Sequence, residues 1–395
     1  MAGKKKRHGR APDYVLMLVV VALLLLGLLM VYSTTFDRGY RIRADSFYHV
    51  KRQAQWVVLG IGLAAVLASL EYQQLNRWAV PILGVTLAML LLLLAVGQKG
   101  FGARRSFFDG SVQPGELAKL TTIIYIAAWV SSKGEQIRDV TYGLVPFAVL
   151  VGLVAGLVML QPDLSTAAVI ILTSITVFFL AGADLLQMTI GGGVGGVVFF
   201  LLVLLYPHAQ KRLLDFVEMI RNPEEMGYHA RESLIALGSG GVLGTGFGMS
   251  RQKFGYLPVP HTDSIFAVIG EELGLFGCLL VIALFALLAW RGFRIALRAR
   301  DAFGTVLACG LTVLLVAQAL INAGVVTGLL PFTGMVLPFI SLGGSSLLVS
   351  MAAVGILLSI SRGGNPRSWK ANASLDRGGR NGGPRLSRSG RPSGA

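Results

Sequence analysis

Charge is what this sequence has least of. Only 14% of its 395 residues are Asp, Glu, Lys or Arg, against about 25% in a soluble domain. Cysteine is nearly absent. Cys278 and Cys309 both lie in apolar runs, which excludes a disulfide framework and reads as small packing residues. The five histidines show no ligand spacing, so no dedicated metal site is expected. The short alternating segments of a membrane β-barrel are missing as well. Acidic residues are outnumbered, 20 against 35 Lys and Arg, for a formal net charge of +15. That excess does not point to nucleic acid. The basic residues cluster at the termini and between apolar runs, a pattern suited to anionic lipid headgroups.

What is present is apolar. Hydrophobic residues make up 54% of the chain and the mean hydropathy is +0.68. Runs long enough to cross a bilayer recur throughout. They predict an all-α polytopic integral membrane protein with about ten spans. The expected spans are 14–32, 55–70, 79–96, 117–130, 144–160, 165–181, 186–206, 265–290, 302–326 and 337–360. The first is too long for a signal-peptide core and no small-x-small cleavage site follows it closely. Residues 1–13 form a basic head, 14–360 the membrane domain and 361–395 a Gly-, Ser- and Arg-rich disordered tail. An even number of spans puts both termini on one side. The cluster Arg291, Arg294, Arg298 and Arg300 argues that this side is the cytoplasm.

The large external loop is 207–264. Residues 211–220 read as an amphipathic interfacial helix and 228–237 as a second helix. The following glycine-rich stretch is neither a Walker loop nor a dinucleotide fingerprint. Its amides could bind an anion, or the loop could pack tightly against the spans. The densest polar stretch comes next, MSRQKFGYLPVPHTDSIFAVIGEELG, with Lys253, His261, Asp263, Glu271 and Glu272. Asp263 is either an N-cap for the next span or an exposed general base near His261 and Lys253. Glu271 and Glu272 lie inside the span and need polar partners.

Elsewhere, Arg104, Arg105 and Lys119 could neutralise a phosphate, or merely anchor the loop beside Phe107 and Phe108. Asp163, before Ser165 and Thr166, reads first as an N-cap. The glycine run 191–196 reads as helix–helix contact. Residues 328–348 combine prolines and glycines in an apolar segment, which predicts a broken or re-entrant helix. Ser341, Ser345 and Ser346 there could serve a ligand or the freed backbone.

Five segments carry a resemblance. They are ARRSF…QPGELAKL (103–120), QPDLSTA (161–167), GYHARESLIALGSGG (227–241), SRQKFGYLPVPHTDSIFAVIGEELG (250–274) and GLLPFTGMVLPFISLGGSSL (328–347). In these the chain resembles the SEDS family, the FtsW/RodA peptidoglycan polymerases. The resemblance implies a ten-helix fold and polymerisation of lipid II at the outer membrane face, with release of undecaprenyl pyrophosphate. It puts the essential aspartate at Asp263, the loop arginine at Arg105 and the span-four lysine at Lys119. Lys253, His261 and the three serines are further candidate substrate contacts. Arg104, Gln113, Glu116, Asp163, Glu271 and Glu272 are candidate supporting residues. The chain departs from the usual pattern at Ser106, Ser165, Val259 and Leu342.

The implied partners are lipid II, the nascent glycan strand, a class B penicillin-binding transpeptidase and other divisome or elongasome membrane proteins. A divalent cation, Mg2+ or Mn2+, could share the stabilisation of a diphosphate. The basic head and long tail lean towards the division (FtsW) branch over the elongation (RodA) branch. A lipid II flippase and a cell-wall scaffold are the alternatives. A flippase needs charged groups along a transmembrane path, whereas the polar motifs here gather at one face.

Overall fold

The computed structural model describes residues 11–96, 98–100, 103–106, 113–222 and 226–363. Side-chain detail extends to these except 96, 98–100, 103–106, 198, 199, 202, 208 and 209. The basic head before Ala11, the tail beyond Gly363, and Phe107 and Phe108 lie outside the described residues.

The described chain forms α1 (Tyr14–Arg43), α2 (Tyr48–Ser69) and α3 (Gln73–Val96). A short antiparallel hairpin follows, β1 (Gln98–Gly100) with β2 (Ala103–Ser106). Next come α4 (Pro114–Lys133), a 3-10 turn (Gly134–Arg138), a π-helical turn (Val140–Leu144), α5 (Val145–Met159), α6 (Leu164–Leu180) and α7 (Leu185–Leu205). The loop helices are α8 (Pro207–Arg221) and α9 (Tyr228–Gly240). The chain closes with α10 (Ile265–Leu297), α11 (Ala302–Val326) and α12 (Gly344–Gly363).

Seven of these segments are long and apolar enough to cross a membrane: α1, α2, α3, the α5 segment, α10, α11 and α12. α6 and the first part of α7 are apolar but shorter. α4 is more polar, yet most of its residues are buried, so protein rather than lipid surrounds them. Together these elements match the expected spans in order. The amide of Asp13 donates to Ser361 Oγ at 3.4 Å, so both described chain ends lie on one face. Asp263 lies on the other.

α1 begins at Tyr14 as expected, where Asp13 caps it, Oδ1 accepting from Leu16 N at 3.0 Å, but it is longer than the expected 14–32 because helix continues to Arg43. Thirty residues span about 45 Å at about 1.5 Å per residue. That exceeds the roughly 30 Å hydrocarbon core, so the turn holding Asp37, Arg38 and Arg41 stands clear of it. The last span also differs from expectation. Residues 328–343 are irregular and helix begins only at Gly344. Pro331 and Pro338 remove two backbone donors there.

The glycine run in α7 is a further correction. A Cβ at Gly191 would meet Leu144 at 3.0 Å, but Gly192, Gly193, Gly195 and Gly196 have nothing within 4 Å. The run lines an apolar cavity of about 410 Å³ shared with α5 and α6. Tight packing is found elsewhere. Gly310 of α11 faces Ile123 of α4 and Val177 of α6, and the Phe147 and Phe178 rings stack at 4.2 Å.

One break in α10 shapes the face that carries Asp263. Gly274 has φ 67° and ψ −162° inside the helix, a region open essentially to glycine alone. The backbone groups freed there are taken by the loop after α9. Leu275 N donates to Gly241 O at 3.0 Å, Thr245 N to Glu271 O at 2.9 Å and Gly246 N to Glu272 O at 3.1 Å. Of the two readings of the glycine-rich stretch, tight packing against a span is therefore the one realised, and these amides are committed to the helix. Gly274→Ala should cost about 1–3 kcal/mol in backbone strain alone. Its Cβ would also stand 2.4 Å from Gly244 N and 2.5 Å from Val242 O. Thermal unfolding in detergent should show a clear fall in midpoint; an unchanged midpoint would mean that the helix heals across the break.

Candidate active site

Two adjacent glutamates of α10 organise the polar stretch before it. Glu271 is 1% exposed. Its carboxylate accepts from Ser250 Oγ, from Arg251 N at 2.7 Å and from Gln252 N at 3.3 Å. Glu272, also 1% exposed, accepts from Gly248 N at 3.0 Å, from Ser33 Oγ of α1 and from Lys253 Nζ at 2.8 Å. The same ammonium donates to Gly248 O at 2.8 Å and Ser33 Oγ at 3.0 Å. It sits over the rings of Phe36 and Phe254. The polar partners expected for both glutamates are thus the loop 248–253 and, for Glu272, Ser33 of α1.

The chain then runs to Asp263, and the irregular segment after α11 holds it there residue by residue. His261 O accepts from Leu342 N at 2.9 Å, and Thr262 O accepts from Ser341 Oγ. Asp263 O accepts from Asn322 Nδ2 of α11 at 2.8 Å, and that amide also donates to Met335 O at 2.6 Å. Ser341 Oγ accepts in turn from Leu337 N at 2.8 Å. Ser341 therefore serves the backbone. Ser345 Oγ likewise accepts from Gln113 N at 3.1 Å, joining α12 to the start of α4. Ser346 Oγ is buried and has no hydrogen-bond partner among the described residues.

The carboxylate of Asp263 does not cap α10. The capping position is Ser264, with no side-chain capping bond, while Asp263 Oδ1 accepts from Thr262 Oγ1 at 2.7 Å. Nor is it the exposed group beside Lys253 that the sequence suggests. It is partly buried, and its ionisable neighbours are the Arg212 guanidinium of α8 and His229 of α9, whose own pKa burial pushes below the ordinary imidazole value. Burial pushes the pKa of Asp263 above the ordinary carboxylate value, against the Thr262 hydrogen bond and those two residues. The His229 ring stacks on Phe332 at 4.2 Å. The Arg212 guanidinium lies over the same ring at 5.4 Å and donates to Thr333 O at 3.4 Å. Ser165 Oγ also donates to Thr333 O. Gly334 completes the wall, its Cβ position 3.5 Å from Asp263 Oδ2. His229 Nδ1 and Thr333 Oγ1 are buried without hydrogen-bond partners among the described residues.

Arg212 and His229 are the neighbours that sequence reasoning missed. His229 lay inside a matched motif, and Arg212 on the polar face of the amphipathic helix. Nothing in the sequence separated Arg212 from Lys211.

The other expected residues fall around this centre. His261 Nε2 accepts from Arg38 at 3.3 Å, and burial, then Arg38 and His49, lower its pKa to about 4. Its ring is therefore neutral near pH 7. His261, Arg38, Arg41 and Lys253 border a separate cavity of about 230 Å³. Asp163 caps α6, accepting from Thr166 N at 3.2 Å and Thr166 Oγ1 at 2.8 Å. Lys119 is 2% exposed and paired with Glu116 at 2.7 Å. Arg104 and Arg105 lie on β2, and their side chains are outside the described residues. Among the described residues no three His, Cys, Asp or Glu side chains converge.

Removing one member of a buried ion pair costs about 3–5 kcal/mol, because the other charge is left unpaired. Lys253→Met should therefore lower the unfolding midpoint strongly, and adding Glu272→Gln should restore part of the loss. A wild-type midpoint in Lys253→Met would show that the ammonium is not a structural anchor.

Comparison with known proteins places the chain in a family. The family model FTSW_RODA_SPOVE, described as cell cycle protein, matches residues 14–365. The chain is 40% identical over 356 residues to a probable peptidoglycan glycosyltransferase FtsW of Trichlorobacter lovleyi, covering 89% of this chain and 93% of that one. It is 39% identical over 356 residues to stage V sporulation protein E of Bacillus subtilis, covering 89% and 97%. A solved peptidoglycan synthase complex contains a chain that superposes with a TM-score of 0.73 at 29% identity, covering 89% of this chain and 98% of that one. The crystal structure of Thermus thermophilus rod shape determining protein RodA superposes with a TM-score of 0.66 at 30% identity, covering 89% and 97%. The match over residues 14–365, with relatives 40% and 39% identical along nearly the whole membrane domain, makes this chain a member of the FtsW/RodA/SpoVE family of cell cycle proteins.

Proposed function

We propose that the chain is a peptidoglycan glycosyltransferase that polymerises lipid II into glycan strands at the outer face of the cytoplasmic membrane. The observation that carries this reading is Asp263. Its carboxylate is partly buried, is not spent on a helix cap, and has a raised pKa in a wall built from α8, α9, α11 and the segment 332–342. A raised pKa suits a general base. Asp263 takes the proton of the acceptor 4-hydroxyl. The oxygen attacks the donor anomeric carbon with inversion, and the bond from that carbon to the diphosphate oxygen breaks. The proton stays on Asp263 and the negative charge leaves with undecaprenyl pyrophosphate.

Arg212 and Arg105 are the cations assigned to that leaving charge. Lys119 and Lys253 are each engaged by a glutamate, so their part is to hold the site's shape. His229 Nδ1 and Thr333 Oγ1 offer hydrogen bonds to a sugar. A divalent cation, if used, would find no cluster of three protein ligands among the described residues; it would depend mainly on the substrate phosphates and would supply neutralisation of the leaving charge.

The flippase alternative finds little support. Among the described residues the buried acidic and basic side chains Glu116, Lys119, Lys253, His261, Glu271 and Glu272 all belong to segments at the Asp263 face and form no path across the bundle. The names of the sequence relatives favour a division role, with an elongation role as the second reading because the RodA structure shares the fold. The resemblance to a chain of a peptidoglycan synthase complex supports a penicillin-binding transpeptidase as partner.

Two experiments test this. Asp263→Asn keeps size and polarity but cannot accept a proton, so polymer formation from purified lipid II, with the transpeptidase partner present, should fall about 10²–10⁴-fold at matched amounts of folded protein. Near-normal polymer would remove Asp263 from the chemistry. For orientation, Met226→Cys should react with an impermeant thiol reagent in intact cells and Ser374→Cys should not. The reverse pattern would invert the protein in the membrane.

A further inference from the structure

The face opposite Asp263 carries its own polar pocket. About 260 Å³ is enclosed by the start of α1 and the ends of α10 and α12, with Asp13, Arg291, Arg294, Arg298 and Ser361 as polar lining. Asp13 is fully committed. It caps α1 and receives Arg291 Nε at 3.0 and 3.1 Å on its two oxygens, with Nη2 on one of them. Its amide donates to Ser361 Oγ at 3.4 Å. Three helix ends are thus tied at one point. Arg294 and Arg298 form no ion pair among the described residues. The Arg294 guanidinium rests over Trp290 at 5.3 Å, as does that of Arg291.

The pocket therefore sets three guanidiniums against one carboxylate. A helix C-terminus offsets only about half a charge, less than this surplus. The flanking sequence is itself strongly basic. Residues before Ala11 include Lys4, Lys5, Lys6, Arg7 and Arg10 and no acid, and the tail beyond Gly363 has Asp376 as its one acidic residue. The level of the pocket points to the source. α10 has 33 residues, about 50 Å against a hydrocarbon core of roughly 30 Å. Trp290 and the arginines after it then lie at the headgroup layer, where tryptophan is enriched. Val15 and Leu18 on the neighbouring α1 are exposed and offer apolar surface directly below.

We propose that this pocket binds the phosphate of an anionic phospholipid, with Arg294 and Arg298 donating to its oxygens and the acyl chains lying along α1. The bound lipid would brace the junction of α1, α10 and α12. It is independent of the chemistry at Asp263.

The test uses the full chain in neutral detergent, its unfolding midpoint followed during titration with dioleoyl phosphatidylglycerol, dioleoyl phosphatidylcholine or inorganic phosphate. Phosphatidylglycerol should raise the midpoint saturably, and the other two should not. Arg294→Gln/Arg298→Gln keeps the Asp13–Arg291 pair and should weaken half-saturation at least about tenfold, the loss expected for charge-assisted hydrogen bonds. Arg298→Gln alone, at an exposed side chain, should give an intermediate loss and serves if the double variant folds poorly. Arg300→Gln, outside the pocket lining, should respond as wild type. An equal response in the Arg294 and Arg298 variants, or equal stabilisation by phosphatidylcholine, would reduce the effect to a general lipid annulus and overturn the site. Saturation by inorganic phosphate at comparable concentration would overturn the lipid assignment.

Discussion

The face that carries Asp263 depends on two buried carboxylates that bond to a loop. Glu271 and Glu272 stand inside the first half of α10, where an unpaired charge would be costly. Each is satisfied by the backbone and side chains of residues 248–253. The loop can therefore take only a narrow set of paths, and the helix can bury its glutamates only when the loop is in place. The break at Gly274 makes this possible by freeing backbone groups for residues 241–246. Loop and helix fold as one unit.

That unit aims the ten residues that follow. Between Phe254 and Asp263 the chain has few bonds of its own, Leu257 N to Gln252 O and Thr262 N to Val259 O among them. Its far end is fixed instead by Leu342, Ser341 and Asn322. An aspartate held by its backbone at both sides keeps its carboxylate free for another task. His229 of α9 and Arg212 of α8 lie beside that carboxylate and favour its charged form, while burial raises its pKa against them. A site on rigid elements with a satisfied supporting shell is what positioned chemistry requires.

Much of this was legible in the sequence, because membrane spans leave a strong signal. Apolar runs locate the spans in order, though not all of their ends, and capping chemistry identified Asp163. The errors have physical causes. Helix continues past an apolar run when nothing stops it, as in α1. Prolines end one when its hydropathy persists, as before α12. Glycines in a lipid-facing helix look the same as glycines in a packed one, as in α7. The supporting roles of Ser341 and Lys253 were hidden for another reason. Both bond to residues far away in the chain, and a hydroxyl or ammonium bears no mark of whether protein or ligand will claim it. Arg212 and His229 were missed on the same ground: only the fold brings α8 and α9 to Asp263.

The central claim is that Asp263 acts as a base whose pKa burial has raised. The most direct measurement is the pH dependence of lipid II polymerisation by the wild-type protein, read as initial rate across the acid range. A base works only when deprotonated. The rate should therefore fall as pH drops through a single ionisation lying above the ordinary carboxylate value of about 4. Because His229 holds that ionisation down, His229→Gln should move the acid limb to higher pH. An acid limb at or below the ordinary carboxylate value, unmoved in His229→Gln, would contradict the account.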